Sequence, residues 1–360
     1  MHDRPCNGEE RRKDGEDGDW TQFFVLALHA TLKGEAHPAR SVDVSGGNGV
    51  QVASRGVTLF LDPKKATEGS IVTHGHTDHL VPDAHMTPPT LDFLRIRKPA
   101  RSGHATPYGK RIEVAGMDVL LHDAGHIFGS AMVEVTTPEG KLVYTGDFNP
   151  RGSTTTGKAA PIRCDVLVTE STYGDPRFDL PPRELVLESV EAWVLSKLLK
   201  GPVALGAYPL GRAQELIFLA NRAGITPLVS PEIGALTAVH NAHGHDLSYA
   251  VLGSDRARDL EPGGALHVVP REWLKRDHPF ARAHAAKGGQ SAFLSGWCHR
   301  YSYFNAYDIH AQFALSDHAS HSDLVAFAQA CEPKRVYTMH GASSLLAREL
   351  RKKGMRAEPL

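Results

Sequence analysis

The sequence has few cysteines and no long apolar run. Its four cysteines stand singly at positions 6, 164, 298 and 331, without the paired spacing of a disulfide framework or of a cysteine zinc site. The first apolar run, residues 23–28, is far shorter than the roughly 18 residues that span a bilayer, and it follows acidic residues. We therefore predict a protein of the reducing cytoplasm, with no signal peptide and no membrane segment.

The chain also lacks an excess of charge of either sign. Lys and Arg number 40 against 41 Asp and Glu, so the net charge of −1 produces no overall field that would attract polyanions. A nucleic-acid site would therefore have to be local. Because 41% of the 360 residues are hydrophobic and 22% are charged, the composition is that of a globular protein with two domains, or with one large domain that carries an insertion.

The order of the predicted elements indicates an α/β fold. Eleven of the first nineteen residues are charged, and we predict a disordered or poorly defined extension over residues 1–40. From Val42 to Glu170, short β-branched runs broken by glycine, asparagine and proline predict strands. The next block, up to Tyr307, alternates helical and strand patterns. The remaining chain predicts a strand, a helix, a strand and a final helix.

Histidine is abundant, with 21 residues, and three of them lie in one short motif. A hydrophobic run at residues 71–73 leads directly into His74-Gly75-His76-Thr77-Asp78-His79. Imidazoles and a carboxylate this close together would repel or lose solvation unless a cation compensates them. The spacing predicts that His74 and His76 face one metal ion and that Asp78 and His79 face a second. The alternative is a solvated polar loop, which seldom has this order at the end of a strand.

Three further residues follow or end strand-like runs and are flanked by glycine, which lets the backbone pack close to a buried ion. They are His126, Asp147 and His340. A single His or Asp beside glycine is more often a turn residue. Together with the first motif, however, they complete five histidines and two aspartates, enough for two metal ions bridged by Asp147.

This order of residues resembles the metallo-β-lactamase fold from about Val42 onward. The resemblance implies first-site ligands His74, His76 and His126, second-site ligands Asp78, His79 and His340, and a bridging Asp147. It also implies two divalent metal ions, for which the imidazole-rich shell favours zinc and the carboxylates allow manganese.

Asp147 and His340 are 193 positions apart, more than in small-molecule hydrolases of this fold, so the spacing indicates an insertion. Three segments around and inside it resemble motifs of the β-CASP nucleases: residues 168–174 with Glu170, residues 207–215 with Arg212, and residues 315–320 with His318. The short prokaryotic exonuclease-like members, including those found beside DNA ligases, are the most similar. One departure is Ser320, where close relatives often carry Asp, and Asp317 and Asp323 are the carboxylates that could replace it.

The resemblance implies an αββα sandwich with an inserted α/β cap. The predicted parts are a first sandwich segment at 41–172, a β-CASP cap at 173–308 and a second sandwich segment at 309–360. It further implies that His318 acts as general acid, that Glu170 orients it, and that Asp78 belongs to the catalytic group. Without the resemblance, His318 would be interpreted as a hydrogen-bonded core histidine and Glu170 as a partner in a salt bridge.

Four residues are candidates for binding substrate. Arg212 begins a helix whose free amides could hold a phosphate, although an ordinary helix start is nearly as good an explanation. Trp297 could stack on a base, or simply be buried. Arg97 and Lys98 belong to a basic strip, within residues 93–112, that has six basic residues and no acidic one. The strip consists of Arg95, Arg97, Lys98, Arg101, Lys110 and Arg111, and it either contacts a nucleic-acid backbone or is a solvated connection.

These features predict a metal-dependent nuclease that hydrolyses phosphodiester bonds of RNA or single-stranded DNA, as an exonuclease in processing or repair. The expected partners besides nucleic acid are a second copy of the chain, a ligase or helicase, or an RNA-processing complex. Two other functions remain open at this point. One is a glyoxalase-type thioesterase, disfavoured by the insertion, and the other is a non-catalytic β-CASP scaffold, disfavoured because no ligand position has been lost.

Overall fold

The computed structural model of the protein describes residues 42–261 and 265–360. The predicted extension over residues 1–40 lies outside the described residues. The described chain forms three β-sheets together with α-helices, which confirms the mixed α/β class. Within this part of the chain, no helix is both long enough and apolar enough to cross a membrane.

The first sheet contains six strands in chain order. They are β1 (Asp43–Ser45), β2 (Val50–Ser54), β3 (Val57–Leu61), β4 (Ser70–Ile71), β5 (His85–Met86) and β6 (His104–Ala105). Strands β1 to β3 form an antiparallel meander, and β3 to β6 pair in parallel. Along β2, buried and partly exposed residues alternate, as expected for a strand with one face on a core.

The second sheet contains seven strands, in the order β19-β18-β11-β10-β9-β8-β7. These are β7 (Ile112–Val114), β8 (Met117–Asp123), β9 (Ala131–Thr137), β10 (Gly140–Tyr144), β11 (Val166–Glu170), β18 (Arg335–Met339) and β19 (Ala357–Pro359). Strands β11 and β18 pair in parallel, with Glu170 opposite Met339. This register brings the ends of two strands that are far apart in sequence to one edge of the sheet.

The two sheets share one hydrophobic core. Val52 and Leu61 of the first sheet belong to the same buried cluster as Val119, Val133 and Val168 of the second. The other side of the second sheet is covered by α7 (His321–Ala330) and α8 (Ser343–Lys352), so all five residues of β11 are buried. The covered sheet explains why its strands have almost continuous apolar runs.

The third sheet is parallel throughout, in the order β14-β13-β15-β12-β16-β17. Its strands are β12 (Val203–Ala207), β13 (Leu228–Val229), β14 (Ala250–Val251), β15 (Leu266–Pro270), β16 (Gln290–Leu294) and β17 (Ala311–Phe313). Because β11 and β18 are neighbours, the whole third sheet lies in an insertion between them. Strand β17 pairs with β16, so this sheet continues past residue 308, where we expected the inserted part to end.

Five helices belong to the same stretch of chain as the third sheet, and one lies near the first. The five are α2 (Arg183–Leu198), α3 (Arg212–Arg222), α4 (Pro231–Ala242), α5 (Asp255–Leu260) and α6 (Pro279–Ala286). Helix α1 (Pro88–Arg97) follows β5. His240 is buried within α4. The helix start is defined by Ser230, whose hydroxyl accepts the amide of Ile233, with a proline at the first position.

Candidate metal centre

Four predicted ligands meet at the edge where β4, β8 and β10 end. His74 and His76 follow β4, His126 follows β8, and Asp147 follows β10. One nitrogen or oxygen of each lies within 4.8 Å of the others. Gly75 is required between the first two because an added Cβ would come to 2.7 Å from the ring of Phe93. The sequence motif is thus pressed against helix α1.

The donor distances fit a single four-coordinate ion. His76 Nδ1 lies 3.0 Å from His74 Nε2 and 3.4 Å from His126 Nε2. Asp147 Oδ2 lies 3.6 Å and 3.8 Å from the same two Nε2 atoms. Ligands about 2.0–2.1 Å from a tetrahedral metal are about 3.3–3.4 Å apart, so the spacing suits zinc or a similar ion.

The remaining ring nitrogens are held by hydrogen bonds that leave these donor atoms free. His126 Nδ1 lies 3.0 Å from the carbonyl oxygen of Asp317, to which it donates. His74 Nδ1 lies 2.9 Å from the Thr73 hydroxyl, which itself donates to Asp62 at 2.6 Å. Since the hydroxyl proton goes to Asp62, the Thr73 oxygen accepts from His74, and His74 Nε2 carries no proton.

Asp62 is a functional residue that the sequence analysis missed. Its carboxylate accepts the amide of Thr73 at 2.8 Å and the hydroxyl of Tyr144 at 3.0 Å, and it lies 3.2 Å from His79 Nδ1. The residue directly follows β3 with a left-handed φ of 47°, uncommon for Asp. A lone carboxylate at a strand end before Pro63 was the only available signal, and it had no partner nearby in sequence.

The protonation states also suit metal binding. Burial, followed by the charges of neighbouring imidazoles, holds the pKa of His74 and of His76 well below the usual range. Burial raises the pKa of Asp147. Neutral imidazoles and a costly buried carboxylate together form a donor set that a divalent cation would stabilise.

The predicted second set of ligands is less closely assembled. His79 turns its Nδ1 toward Asp62, which leaves Nε2 on the other side of the ring, 3.9 Å from Asp78 Oδ2. The side chain of Asp78 is 83% exposed, and the rings of His79 and His340 are 6.4 Å apart. His340 has a left-handed φ of 61°, and its carbonyl accepts the hydroxyl of Ser171. The structure therefore brings His79 to the centre and leaves Asp78 and His340 at its rim.

The buried Glu170 and the half-buried His318 form a pair beside Asp147. The two carboxylate oxygens of Glu170 lie 3.0 Å and 3.1 Å from His318 Nδ1, and they also accept the amides of Phe148 and Thr172. Burial lowers the pKa of His318, but the charges of Glu170 and Asp147 outweigh it and raise that pKa to about 9. One atom each of Asp147, Glu170 and His318 lies within the same 4.8 Å limit. This places an oriented imidazole next to the metal ligands.

No family model matches the chain, but individual proteins do. A probable DNA ligase of Opitutus terrae is 31% identical over 321 residues, which are 88% of this chain and 31% of the ligase. A protein of Acidianus ambivalens named for its place in the lig 3′ region is 38% identical over 122 residues, 33% of this chain and 82% of that protein. An RNase J-like protein of Methanocaldococcus jannaschii is 31% identical over 186 residues, 44% of each chain. The chain belongs to the β-CASP family of metallo-β-lactamase-fold nucleases.

The chain spans less than half of the length of the ligase and of the RNase J-like protein. Within the described residues, the group His74, His76, His126 and Asp147 could hold a metal ion.

A cavity of about 390 Å³ opens onto the centre, and three of the four substrate-binding candidates, all but Lys98, line it. Trp297 is half-buried in its wall. Arg97 also lines it, but its guanidinium donates to the carbonyl of Gly75 at 3.1 Å and to the hydroxyl of Thr77 at 2.6 Å. Arg97 therefore supports the loop of the metal motif. Its neighbour Lys98 donates to the carbonyl of Leu80 rather than projecting into solvent.

The members of the basic strip differ in their contacts in this structure. Arg95 is paired with Asp92 at 2.7 Å and Arg111 with Asp118 at 3.3 Å. The other members, Arg101 and Lys110, are exposed. Four of the six basic side chains of the strip therefore contact groups of the protein itself. This favours the alternative interpretation, in which the strip is a connection that does not bind nucleic acid.

Arg212 also lines the cavity, but it is buried and paired. Its guanidinium donates to Asp317 at 3.1 Å and to the carbonyl of Leu294 at 3.3 Å, while Nε finds no hydrogen-bond partner among the described residues. Arg183 pairs with Glu215 and lies 3.6 Å from Asp317. This network connects helix α3 to the segment whose carbonyl at Asp317 orients His126. The buried guanidinium of Arg212 stabilises the site through its contact with Asp317.

The substitution at Ser320 has a structural explanation. Ser320 is the N-cap of α7: its hydroxyl accepts the amide of Asp323, whose carboxylate accepts the Ser320 amide in return. Asp323 is also bound by Arg151 at 3.0 Å. Both carboxylates that could have replaced an Asp here are therefore occupied, Asp323 in the helix cap and Asp317 with Arg212.

Proposed function

We propose that the protein is a binuclear metal-dependent exonuclease that hydrolyses phosphodiester bonds of single-stranded nucleic acid. The observation that carries the proposal is the Glu170–His318 pair within 4.8 Å of Asp147. A metal centre alone would suit many hydrolases of this fold. A half-buried imidazole oriented by its own carboxylate adds a proton donor for an alkoxide leaving group.

His74, His76, His126 and Asp147 would hold a first metal ion, and Asp78, His79 and His340, together with Asp147, would hold a second. Such a pair of divalent ions would supply Lewis acidity and activated water for attack at a phosphodiester. Two carboxylates offset only part of the +4 charge of two such ions, so the site stays positive and favours an anionic substrate over a neutral ester or thioester.

His318 protonates the departing oxygen of the sugar. Glu170 holds Nδ1, which leaves Nε2 as the nitrogen that can donate a proton. The carboxylate of Glu170 is itself fixed by the amides of Phe148 and Thr172, so the imidazole cannot turn away without losing these contacts. Asp78, at the rim of the cavity, is the third member of the proposed catalytic group, together with Glu170 and His318.

The architecture proposed for this activity is an αββα sandwich, formed by the two sheets that share a core, with the third sheet and its helices as the β-CASP cap. The similarity to a probable DNA ligase over 88% of the chain supports a role in preparing ends for joining, and the similarity to an RNase J-like protein supports RNA as the alternative substrate. The cavity, which is lined by residues such as His76 of the proposed sandwich and Arg212 of the proposed cap, is where the substrate end would enter.

The test is a time course with end-labelled DNA and RNA strands of the same sequence, with free or blocked termini, and protein loaded with zinc or manganese. We expect stepwise shortening of single strands from one free end. A thioester substrate in parallel tests the glyoxalase-type alternative. Metal-loaded protein that cleaves the thioester and neither nucleic acid would overturn the proposal, and protein that cleaves none of them would favour a scaffold.

A further inference from the structure

A series of aromatic rings leads from His318 along the cavity wall to the surface. Tyr173 stands edge-on to His318, with ring centroids 6.1 Å apart, and lies 5.0 Å from Trp297. The next ring outward is Tyr301, 6.1 Å from Trp297 at a shallow angle of 34°. Both Tyr173 and Trp297 line the cavity. The series therefore begins at the proposed proton donor and ends in solvent.

The inner and outer rings of the series differ in exposure. Tyr173 and Phe178 are buried and form its base, with Phe178 5.0 Å from Trp297 and 5.9 Å from Tyr301. Trp297 is half-buried, and Tyr301 is 51% exposed. Two buried rings thus support two rings that are partly exposed. A large exposed aromatic ring beside a catalytic cavity is a typical binding surface for a flat ligand.

The segment that carries the two outer rings is well ordered by hydrogen bonds. Ser295 caps the short 3₁₀ turn by accepting the amide of Trp297, and the amide of Tyr301 donates to the carbonyl of Trp297 at 3.0 Å. Gln312, on β17, donates its amide to the carbonyl of Tyr301 at 2.8 Å and to that of Cys298 at 3.2 Å. The rings are therefore positioned before a ligand arrives, which reduces the entropy lost on binding. Arg300, in the same turn, is exposed and can approach a phosphate.

We propose that Trp297 and Tyr301 form a stacking subsite for the unpaired nucleobases at the end of the strand that enters the cavity. The inference rests on the proposed nuclease function and adds to it a preference for unpaired strand ends. A base can stack on these rings only when it has left a duplex, so the subsite favours single strands and frayed ends without reading their sequence. Stacking on the rings also sets the direction in which the strand leaves the metal centre.

The experiment measures binding separately from hydrolysis. Affinity is obtained by fluorescence anisotropy with labelled DNA and RNA strands whose terminal linkages are phosphorothioates, which slow cleavage during the titration. Three proteins are compared with the native chain: Tyr301→Ala, Tyr301→Phe, which keeps the ring, and Phe218→Ala, which removes a ring that is 38% exposed on α3 and does not line the cavity. A second set of strands lacks single bases at each of the first three positions from either end.

We expect Tyr301→Ala to bind intact strands about 5- to 150-fold more weakly, the range found for loss of one stacked base, and Tyr301→Phe and Phe218→Ala to bind like the native chain. Removing the base that stacks on Tyr301 should weaken the native chain similarly and leave Tyr301→Ala unaffected. Equal affinity of Tyr301→Ala and the native chain for intact strands would overturn the stacking subsite. Failure of the nuclease proposal is seen separately, as absence of hydrolysis by native protein on unmodified strands.

Discussion

Replacing Asp62 by Asn tests whether this residue sets the state of the metal ligands. In the native chain, His74 Nδ1 donates a hydrogen bond to Thr73 Oγ1 at 2.9 Å, and Thr73 Oγ1 donates one to Asp62 Oδ2 at 2.6 Å. An amide nitrogen in the place of Oδ2 would donate to the Thr73 hydroxyl. That hydroxyl would then donate to His74 Nδ1, so that the proton of His74 moves to Nε2, the atom that should bind metal.

The size of the effect follows from the contacts of Asp62. Disturbing a hydrogen-bond partner of a metal ligand usually lowers metal affinity by about 10- to 100-fold. The same change removes the charged acceptor of two hydroxyls, at 2.6 Å and 3.0 Å, and the carboxylate charge that lies 3.2 Å from the imidazole of His79. Loss of hydrogen bonds to a buried charged group costs about 1.5–3 kcal/mol. We therefore expect both weaker metal binding and a lower free energy of unfolding.

Zinc affinity is measured by competition with a chelator, and the free energy of unfolding by urea titration of the metal-free protein. The control is Asp118→Asn, which neutralises a 51%-exposed carboxylate paired with Arg111. This variant should change the free energy of unfolding by less than about 0.5 kcal/mol and leave zinc affinity intact. Native zinc affinity in Asp62→Asn would refute the claim that Asp62 sets the protonation of His74 through Thr73. A decrease in the free energy of unfolding alone would limit Asp62 to a structural role.

Three other predictions can be checked on the same protein. Asp147→Asn should reduce the metal content of both sites, whereas His340→Ala should mainly empty the second; elemental analysis that finds two ions in the Asp147 variant contradicts the bridge. His318→Ala should keep its metals but lose about 10²–10⁴-fold in turnover, with much of the loss recovered on a nitrophenyl phosphodiester, whose leaving group needs less protonation. Unchanged turnover would remove His318 from the reaction. Burial lowers the pKa of His240 and of His267 to about 4, so each histidine binds a proton more readily in the unfolded chain. The free energy of unfolding is therefore at its full value above about pH 6.5. It falls by up to ~3 kcal/mol per residue as the pH decreases toward 4. His240→Gln should flatten this decline in urea titrations, and an identical pH dependence in that variant would contradict the assignment.

The elements of the fold follow largely from local patterns in the chain. The strands predicted between Val42 and Glu170 are present, with β2, β3 and β8 among them, and helix α3 begins at Arg212 as predicted. After Tyr307 the predicted strand, helix, strand and helix are β17, α7, β18 and α8. Glycine and proline end these runs, and the period of apolar residues shows which face is buried, so the information lies within a few neighbouring positions. His74 and His76, which are predicted to bind one metal ion, are likewise only two positions apart in sequence.

Partners that are distant in sequence were decided by the tertiary structure. The parallel register of β11 and β18 places Glu170 opposite Met339, next to His340, and no local pattern contains that pairing. The helix start at Arg212 suggested a phosphate-binding site, yet the folded chain buries Arg212 against Asp317, 105 positions away.

Asp62 shows the same limit most clearly. Its carboxylate orients His74 through Thr73 and contacts His79, but in the sequence it is one acidic residue after a strand. The sequence by itself determined which side chains can bind metal and donate protons, because residue type and strand position set the available chemistry. Only the tertiary structure decided which ring nitrogen each histidine presents and which charges are already paired, because hydrogen bonds and burial depend on groups that the fold brings together from distant positions.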